Sequence, residues 1–320
     1  MMQALWLENQ HLSYRDDVPI PEPGEDEALI RVRLAGICAT DLELVKGYYP
    51  YTGILGHEFV GEIIKASSRV GERVVGEINL GCGQCLLCQR GGAKHCFQRR
   101  VLGIINWPGA FAEYVCLPLK NLWTVAAHVP DEAAVFTEPL AAALAIQEQV
   151  SLRPSHQVLI VGAGRLGQLI AQVLRLTGCA LQVVTRYEQQ RQLFTSQRIP
   201  WIDESKVPSK FFDVVIEATG RATGLTSACQ AVRPGGTIIL KSTYQGDFHL
   251  NLSSLVVDEI HLVGSRCGPF SPALRLLENQ LVDPTYLIKQ QFPLWEGLTA
   301  VKQAQIPGAF KILLNPQSSS

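Results

Sequence analysis

Apolar and polar positions along the chain change period about two-fifths of the way through. Up to about residue 125 the apolar residues come in short β-like runs, such as ALIRVRLAG, GEIIKA, ERVVGEI and AFAEYVCLP, separated by Gly and Pro. This pattern predicts an irregular, β-rich domain over residues 1–124. From Pro130 the spacing becomes helical: Asp131 and Glu132 sit at a helix start, and PDEAAVFTEPLAAALAIQEQV carries its apolar residues at helical intervals. Next, QVLIVGAGRLGQLIAQVLRLTGCALQVVT reads as strand, glycine turn, amphipathic helix and strand. FFDVVIEATG, the helix-like RATGLTSACQAVRPG, GTIILKS and HLVGS continue the alternation. Strands alternating with helices predict a doubly wound, parallel α/β sheet, placed at residues 125–264. The tail, with a helical SPALRLLENQ and the apolar run AFKILLN, is expected to return to the first domain over 265–320.

At 320 residues, two cores are the natural expectation. A net charge of −1 with 18% charged residues offers no broad field for nucleic acid or an anionic membrane surface, so small molecules are the expected partners. The N-terminal stretch lacks a basic region followed by an apolar one, and no apolar run approaches the roughly 18 residues that span a bilayer. A soluble, cytoplasmic protein is expected.

Nine cysteines in such a chain point to free thiols or metal ligands rather than disulfides. Four of them, Cys82, Cys85, Cys88 and Cys96, lie within GCGQCLLCQRGGAKHC. A bacterial ferredoxin would place its fourth cysteine after three residues and follow it with Pro, whereas here seven residues intervene and Phe97 follows. A redox pair would open a helix near a βαβ unit, and this segment shows no such pattern. Four thiols on glycine-rich turns suit a closed tetrahedral zinc site, which holds structure and leaves no coordination position for a substrate.

Gly162, Gly164 and Gly167 form G-x-G-x-x-G between a strand and a helix, the setting in which it binds a dinucleotide pyrophosphate. Arg165 and Leu166 in the turn, and Thr219 and Gly220 closing FFDVVIEATG, are further candidate cofactor contacts. Nineteen positions past Gly167, where an acidic residue would accept the adenosine ribose hydroxyls, stands Arg186, with Arg191 beyond it. A guanidinium there pairs with a 2′-phosphate, so NADP(H) is favoured over NAD(H).

Taken together, GICATD at 36–41, GHEFVG at 56–61, the four-cysteine lobe, TEPLA at 137–141 and GAGRLG resemble the medium-chain, zinc-dependent alcohol dehydrogenase family across nearly the whole chain. The Glu-Pro motif is similar to the sorbitol, threonine and archaeal glucose dehydrogenase branches. The resemblance implies a GroES-like catalytic domain split around a Rossmann domain, and two zinc ions per chain. It implies a catalytic zinc held by Cys38, His57 and either Glu138 or water, with Glu58 close enough to exchange in. It also implies reversible oxidation of an alcohol to an aldehyde or ketone, with Thr40 handling the hydroxyl proton and Asp41 orienting the turn. Many relatives carry a proton-relaying histidine five residues past the zinc cysteine; Glu43 stands there here and is a candidate relay. Family habit implies a homodimer or homotetramer. Two other readings remain: a zinc-free type of quinone or enone reductase, which would lack the metal-binding cysteines and histidine, and a non-catalytic nicotinamide-nucleotide-binding protein.

Overall fold

The structure, a computed structural model, describes residues 1–243 and 250–318. Contacts divide the chain into two units, Met1–Glu138 with Phe270–Ser320 and Pro139–Pro269. In chain order the first unit contains β1 (Met2–Glu8), β2 (His11–Val18), β3 (Glu27–Gly36), α1 (Ala39–Val45), β4 (Gly53–Ile54), β5 (Glu58–Lys65) and β6 (Arg73–Gly76). There follow β7 (Asn79–Leu80), α2 (Leu86–Gln89), β8 (Arg100–Val101), β9 (Tyr114–Pro118), β10 (Leu122–Thr124) and α3 (Asp131–Ala134). Helix α4 (Thr137–Gln149) then leads into the second unit. That unit holds β11 (Gln157–Val161), α5 (Arg165–Arg175), β12 (Ala180–Thr185), α6 (Glu188–Ser196), β13 (Trp201–Asp203), β14 (Phe212–Glu217), α7 (Ala222–Ala231), β15 (Val232–Leu240), α8 (Leu252–Val257) and β16 (His261–Gly264). The first unit resumes with α9 (Phe270–Glu278), β17 (Ile288–Pro293), α10 (Gly297–Ala304) and β18 (Lys311–Asn315).

The first unit is built round a seven-stranded sheet in which β10, β6, β5, β3, β18 and β17 follow one another and β9 also pairs with β3. Strand β3 is central, pairing with β5, β9 and β18, and its residues Ala28, Leu29, Ile30, Val32, Leu34 and Ala35 are buried on both faces of the sheet, which explains a run too apolar for simple alternation. The C-terminal run AFKILLN supplies β18, antiparallel to β3 with Leu313 opposite Gly36.

The second unit is a six-stranded parallel sheet in the order β13-β12-β11-β14-β15-β16. Its direction of winding changes between β11 and β14, the switch point at whose strand ends such sheets bind ligands. Leu159, Val161, Val184, Val215 and Ile238 from the strands pack with Leu225, Ala228 and Ala231 of α7. Strand β15 begins at Val232, so the VRPG read from sequence as the end of a helix belongs to the strand instead. Pro234 cannot continue a helix, which accounts for the switch.

The contact units divide at 138/139 and 269/270, later than the sequence boundaries at 124/125 and 264/265. Arg73 of β6 accounts for the first shift. Its guanidinium donates to the carbonyls of Ala126 and Val129 and to Asp131, tying 125–131 to the first unit. The second follows from the chain past β16: Ser265 N–H donates to the Leu240 carbonyl, and Gly268 lies so close to the Ala141 carbonyl that a Cβ would meet it at 1.8 Å. No helix among the described residues is long and apolar enough to cross a membrane.

Candidate functional site

The four-cysteine segment folds on itself through local geometry. Gly83 and Gly91 both adopt φ +77, a region that favours glycine, and α2 starts directly after Cys85. Sulfur separations of 4.0 Å for Cys82–Cys88 and 3.8 Å for Cys85–Cys96 result, and all four sulfurs lie within 4.8 Å of one another. These separations exclude disulfide bonds, and all nine cysteines are free. They match a tetrahedron round zinc, whose bonds of about 2.3 Å give edges of about 3.8 Å. The N–H groups of Cys85 and Gln84 hold the Cys82 thiol down to about 6. Cys88, despite the Gly83 N–H, is pushed up to about 11 by burial and the neighbouring sulfurs. Such crowding of thiols is relieved when a cation displaces their protons to solvent.

The second cluster is assembled by sheet register. Strand β3 delivers Cys38 just past its end, at the N-cap of α1, where Asp41 Oδ2 accepts from the Cys38 N–H at 2.8 Å. Antiparallel pairing places Gly36 of β3 opposite Glu58 of β5. A Cβ at Gly36 would stand 2.6 Å from Glu58 Oε2, so only glycine leaves room for that carboxylate. His57 precedes Glu58, and both are buried. Donor atoms of Cys38, His57 and Glu58 lie within 4.8 Å of one another. The buried Asp41 sets its Oδ1 3.2 Å from His57 Nδ1, off the line of a hydrogen bond but near enough to orient the ring. Burial alone would lower the pKa of His57; Asp41 and Cys38 reverse this and hold it well above the usual range.

Glu58 divides its oxygens. Oε2 accepts from the buried Lys311 Nζ of β18, which also reaches the Ile37 carbonyl at 3.3 Å and lies 5.5 Å from the centre of the Phe136 ring. Oε1 is buried without a hydrogen-bond partner. That orphaned oxygen, with one thiol and one imidazole, is an open donor set of the kind catalytic zinc uses, and the residues fit the metal. Glu138, at the first turn of α4, is not among the three convergent donors. It keeps some solvent exposure, yet desolvation raises its carboxyl to about 7, with His57 and Lys311 opposing the shift and Glu58 and Glu77 adding to it.

Thr40 Oγ1 lies 3.9 Å from Cys38 Sγ. Glu43, about one turn into α1, accepts from Lys46 Nζ at 2.7 Å. Lys311 was not anticipated from the sequence. The signal available was a single cation in the otherwise apolar run AFKILL.

In the second unit the glycine turn has the expected construction. Gly162 takes φ +120 against the Ala218 carbonyl, and a Cβ at Gly167 would meet the Gly162 carbonyl at 1.9 Å. Gly164 caps α5 and faces open space, a cradle that a side chain would fill, so the turn fits a pyrophosphate at the helix N-terminus. Arg165 and Leu166 form the first turn of α5, and Thr219 and Gly220 stand at the end of β14, on the other side of the switch point. Arg186 directly follows β12 and binds Glu204 through two hydrogen bonds of 3.0 Å. Arg191 folds back onto Asp203 and lies over the Trp201 ring.

Comparison with known proteins agrees with this layout. Residues 24–128 match the alcohol dehydrogenase GroES-like domain family. The chain is 31% identical to an L-threonine 3-dehydrogenase of Coxiella burnetii, over 98% of this chain and 96% of that one. It is 29% identical to a sorbitol dehydrogenase of Halalkalibacterium halodurans, with 93% and 94% coverage. A crystal structure from Sinorhizobium meliloti 1021, provisionally assigned as a zinc-binding dehydrogenase and bound to NADP, superposes with a TM-score of 0.90 at 28% identity, covering 99% of each chain. The chain belongs to the medium-chain zinc-dependent alcohol dehydrogenase family and is an oxidoreductase that acts on alcohols.

Proposed function

We propose that the chain transfers hydride reversibly between a polyhydroxylated or amino alcohol and NADP(H), with NAD(H) as the weaker cofactor. Cys38 and His57 would hold a catalytic zinc, with Glu58 or Glu138 able to complete its shell, and Cys82, Cys85, Cys88 and Cys96 a structural zinc. When bound, the catalytic metal polarises the alcohol oxygen while the nicotinamide accepts or returns hydride. Asp41 fixes the His57 ring, and Thr40 accepts or passes the hydroxyl proton of the substrate. Lys311 balances the charge of Glu58 and keeps its second oxygen turned towards the cluster. The N–H groups at the start of α5 receive the pyrophosphate, Thr219 and Gly220 flank it, and Arg186, with Arg191 behind it, takes the 2′-phosphate.

The observation that carries this reading is the meeting of Cys38, His57 and Glu58 donors within 4.8 Å, with Asp41 behind the histidine. The substrate class draws support from the sorbitol and L-threonine dehydrogenases among the relatives. Nine free cysteines suit a reducing, cytoplasmic compartment. The edge strand β16, with Leu262 exposed and Leu252, Val256 and Val257 of α8 also exposed, supports a homodimer built on the second unit. A panel of polyols, sugars, amino alcohols and simple alcohols, assayed with NADP+ and NAD+ while metal content is measured, tests the reading. Reduced nicotinamide formed with a polyol or amino alcohol is expected. Dinucleotide binding without turnover on any alcohol would leave a binding protein instead.

A further inference from the structure

The adenosine end of the nucleotide fold contains an acid that the glycine fingerprint gives no reason to expect. Parallel pairing of β12 with β13 sets Thr185 beside Asp203, so the next residues, Arg186 and Glu204, emerge side by side at the strand ends. Arg186 gives its Nε and Nη2 to the two oxygens of Glu204, both at 3.0 Å. Ser227 Oγ of α7 donates to Glu204 Oε1 at 3.2 Å and steadies the carboxylate from the other side. The second arginine is committed in the same way, Arg191 to Asp203. Each cation that a 2′-phosphate would meet is thus already paired with one of two consecutive acids, Asp203 at the end of the neighbouring strand and Glu204 just past it.

A guanidinium carries five N–H groups, and its side edge is one of the two that recognise an anion through paired hydrogen bonds. We propose that Glu204 is a specificity-determining residue: it withholds the Nε–Nη2 edge of Arg186 from a 2′-phosphate and sets a negative charge beside it, so that NADP(H) is preferred less strongly than Arg186 alone would dictate. The acid that an NAD-binding fold keeps at the end of its second strand is displaced here by one strand. The inference rests on the reading that the second unit binds a nicotinamide dinucleotide with Arg186 at the ribose.

Isothermal titration of the full, metal-loaded chain with NADP+, NAD+ and adenosine 2′,5′-bisphosphate tests it without requiring turnover. Glu204→Gln keeps the size and an acceptor oxygen but removes the charge. NADP+ and the bisphosphate should bind about five- to tenfold more tightly, as befits a partly exposed charge, while NAD+ changes less than twofold. The gain should shrink in about 0.5 M salt, where screening is strong. It should vanish in Arg186→Met/Glu204→Gln, and Glu204→Ala should shift the ratio in the same direction as Glu204→Gln. An NADP+ to NAD+ affinity ratio that is unchanged or lowered by both Glu204 variants overturns the inference and leaves the dehydrogenase reading intact. Failure of the unmodified chain to bind either dinucleotide removes the cofactor reading, and this inference falls with it.

Discussion

The two cysteine-bearing clusters of the first unit are held in different ways. The four-thiol lobe closes within sixteen residues through glycine turns and a one-turn helix, and its thiols are mostly half-buried. The Cys38–His57–Glu58 cluster is closed by the register of β3 against β5 and by a lysine from the far end of the chain, and His57, Glu58, Asp41 and Lys311 are buried. A local device can be lost without disturbing the sheet, whereas the second cluster shares its supports with the core. Metal removal and ligand replacement should therefore act as folding events at the lobe and as chemical events at the sheet.

The largest effect is expected at the lobe. Stripping its metal removes an interaction on the order of 10 kcal/mol, by comparison with zinc-finger peptides. Hydrogen exchange over residues 81–96 should rise steeply while β11–β15 stay protected. Released thiols should then differ in their response to pH. The lobe thiols, Cys82 among them, lose the N–H donors of the folded turns and label as ordinary exposed thiols, while Cys116, pushed up to about 12 by burial, resists throughout the neutral range. Because the thiolate reacts, lowering a pKa advances labelling and raising it delays labelling. Equal labelling of both cysteines at pH 7, or no change in exchange at the lobe, would break the contrast.

At the sheet, Cys38→Ala should lower kcat/KM by about 10³-fold, corresponding to roughly 4 kcal/mol of lost charge stabilisation. Metal content should fall by one ion and the unfolding midpoint should stay close to that of the unmodified chain. A collapse of stability with both metals retained would reverse the assignment of the two clusters.

Lys311→Met comes next. It strands the buried Glu58 carboxylate in the metal-free protein and should cost about 3–5 kcal/mol in denaturant unfolding. Glu58→Gln in the same chain should recover most of that loss, because the uncompensated charge is then gone. A loss in the single variant that persists unchanged in the double variant would assign Lys311 a packing role instead.

What could be read in advance follows the same division. The convergence of the lobe was legible because its four cysteines are neighbours in sequence, and their spacing argues for zinc over a ferredoxin cluster. Cys38 and His57 became legible only through the order of several motifs, since nothing local states that Gly36 lies opposite Glu58. Lys311 was not legible: 253 positions separate it from Glu58, and a lone lysine in FKILLN reads equally well as the solvent-facing residue of a strand. Arg186 could be found by counting from the glycines, but Glu204 required the strand order that puts β13 beside β12. The hairpin of β1 and β2 is not legible either. It turns through Asn9 and Gln10, both at positive φ, and glutamine there lacks the Asn-Gly signal that marks such turns.

Asp41 offers a smaller test of the second cluster. Asp41→Asn keeps the shape behind His57 but removes the charge that orients and polarises the ring. Metal affinity and kcat should fall by about 10–100-fold, the usual range for such supporting carboxylates. The four-thiol lobe should keep its ion, so metal analysis after mild chelation gives the readout. Loss of both ions together would mean that the lobe and the sheet cluster are not independent.

The smallest effect is expected at Glu43, which sequence position alone made a candidate proton relay. Its carboxylate pairs with Lys46 one turn along α1, and both side chains are partly exposed. An exposed pair at this spacing contributes about 0.5 kcal/mol or less, so Glu43→Gln should barely move the unfolding midpoint. No hydrogen bond among the described residues joins Glu43 to Thr40 or Cys38, and the pH dependence of kcat should match that of the unmodified enzyme. A relay role would appear as a loss of kcat that deepens as the pH falls and proton release to solvent becomes harder, with KM unchanged. That result would extend the chemical part of the molecule outward along α1, beyond the buried residues fixed by β3 and β5.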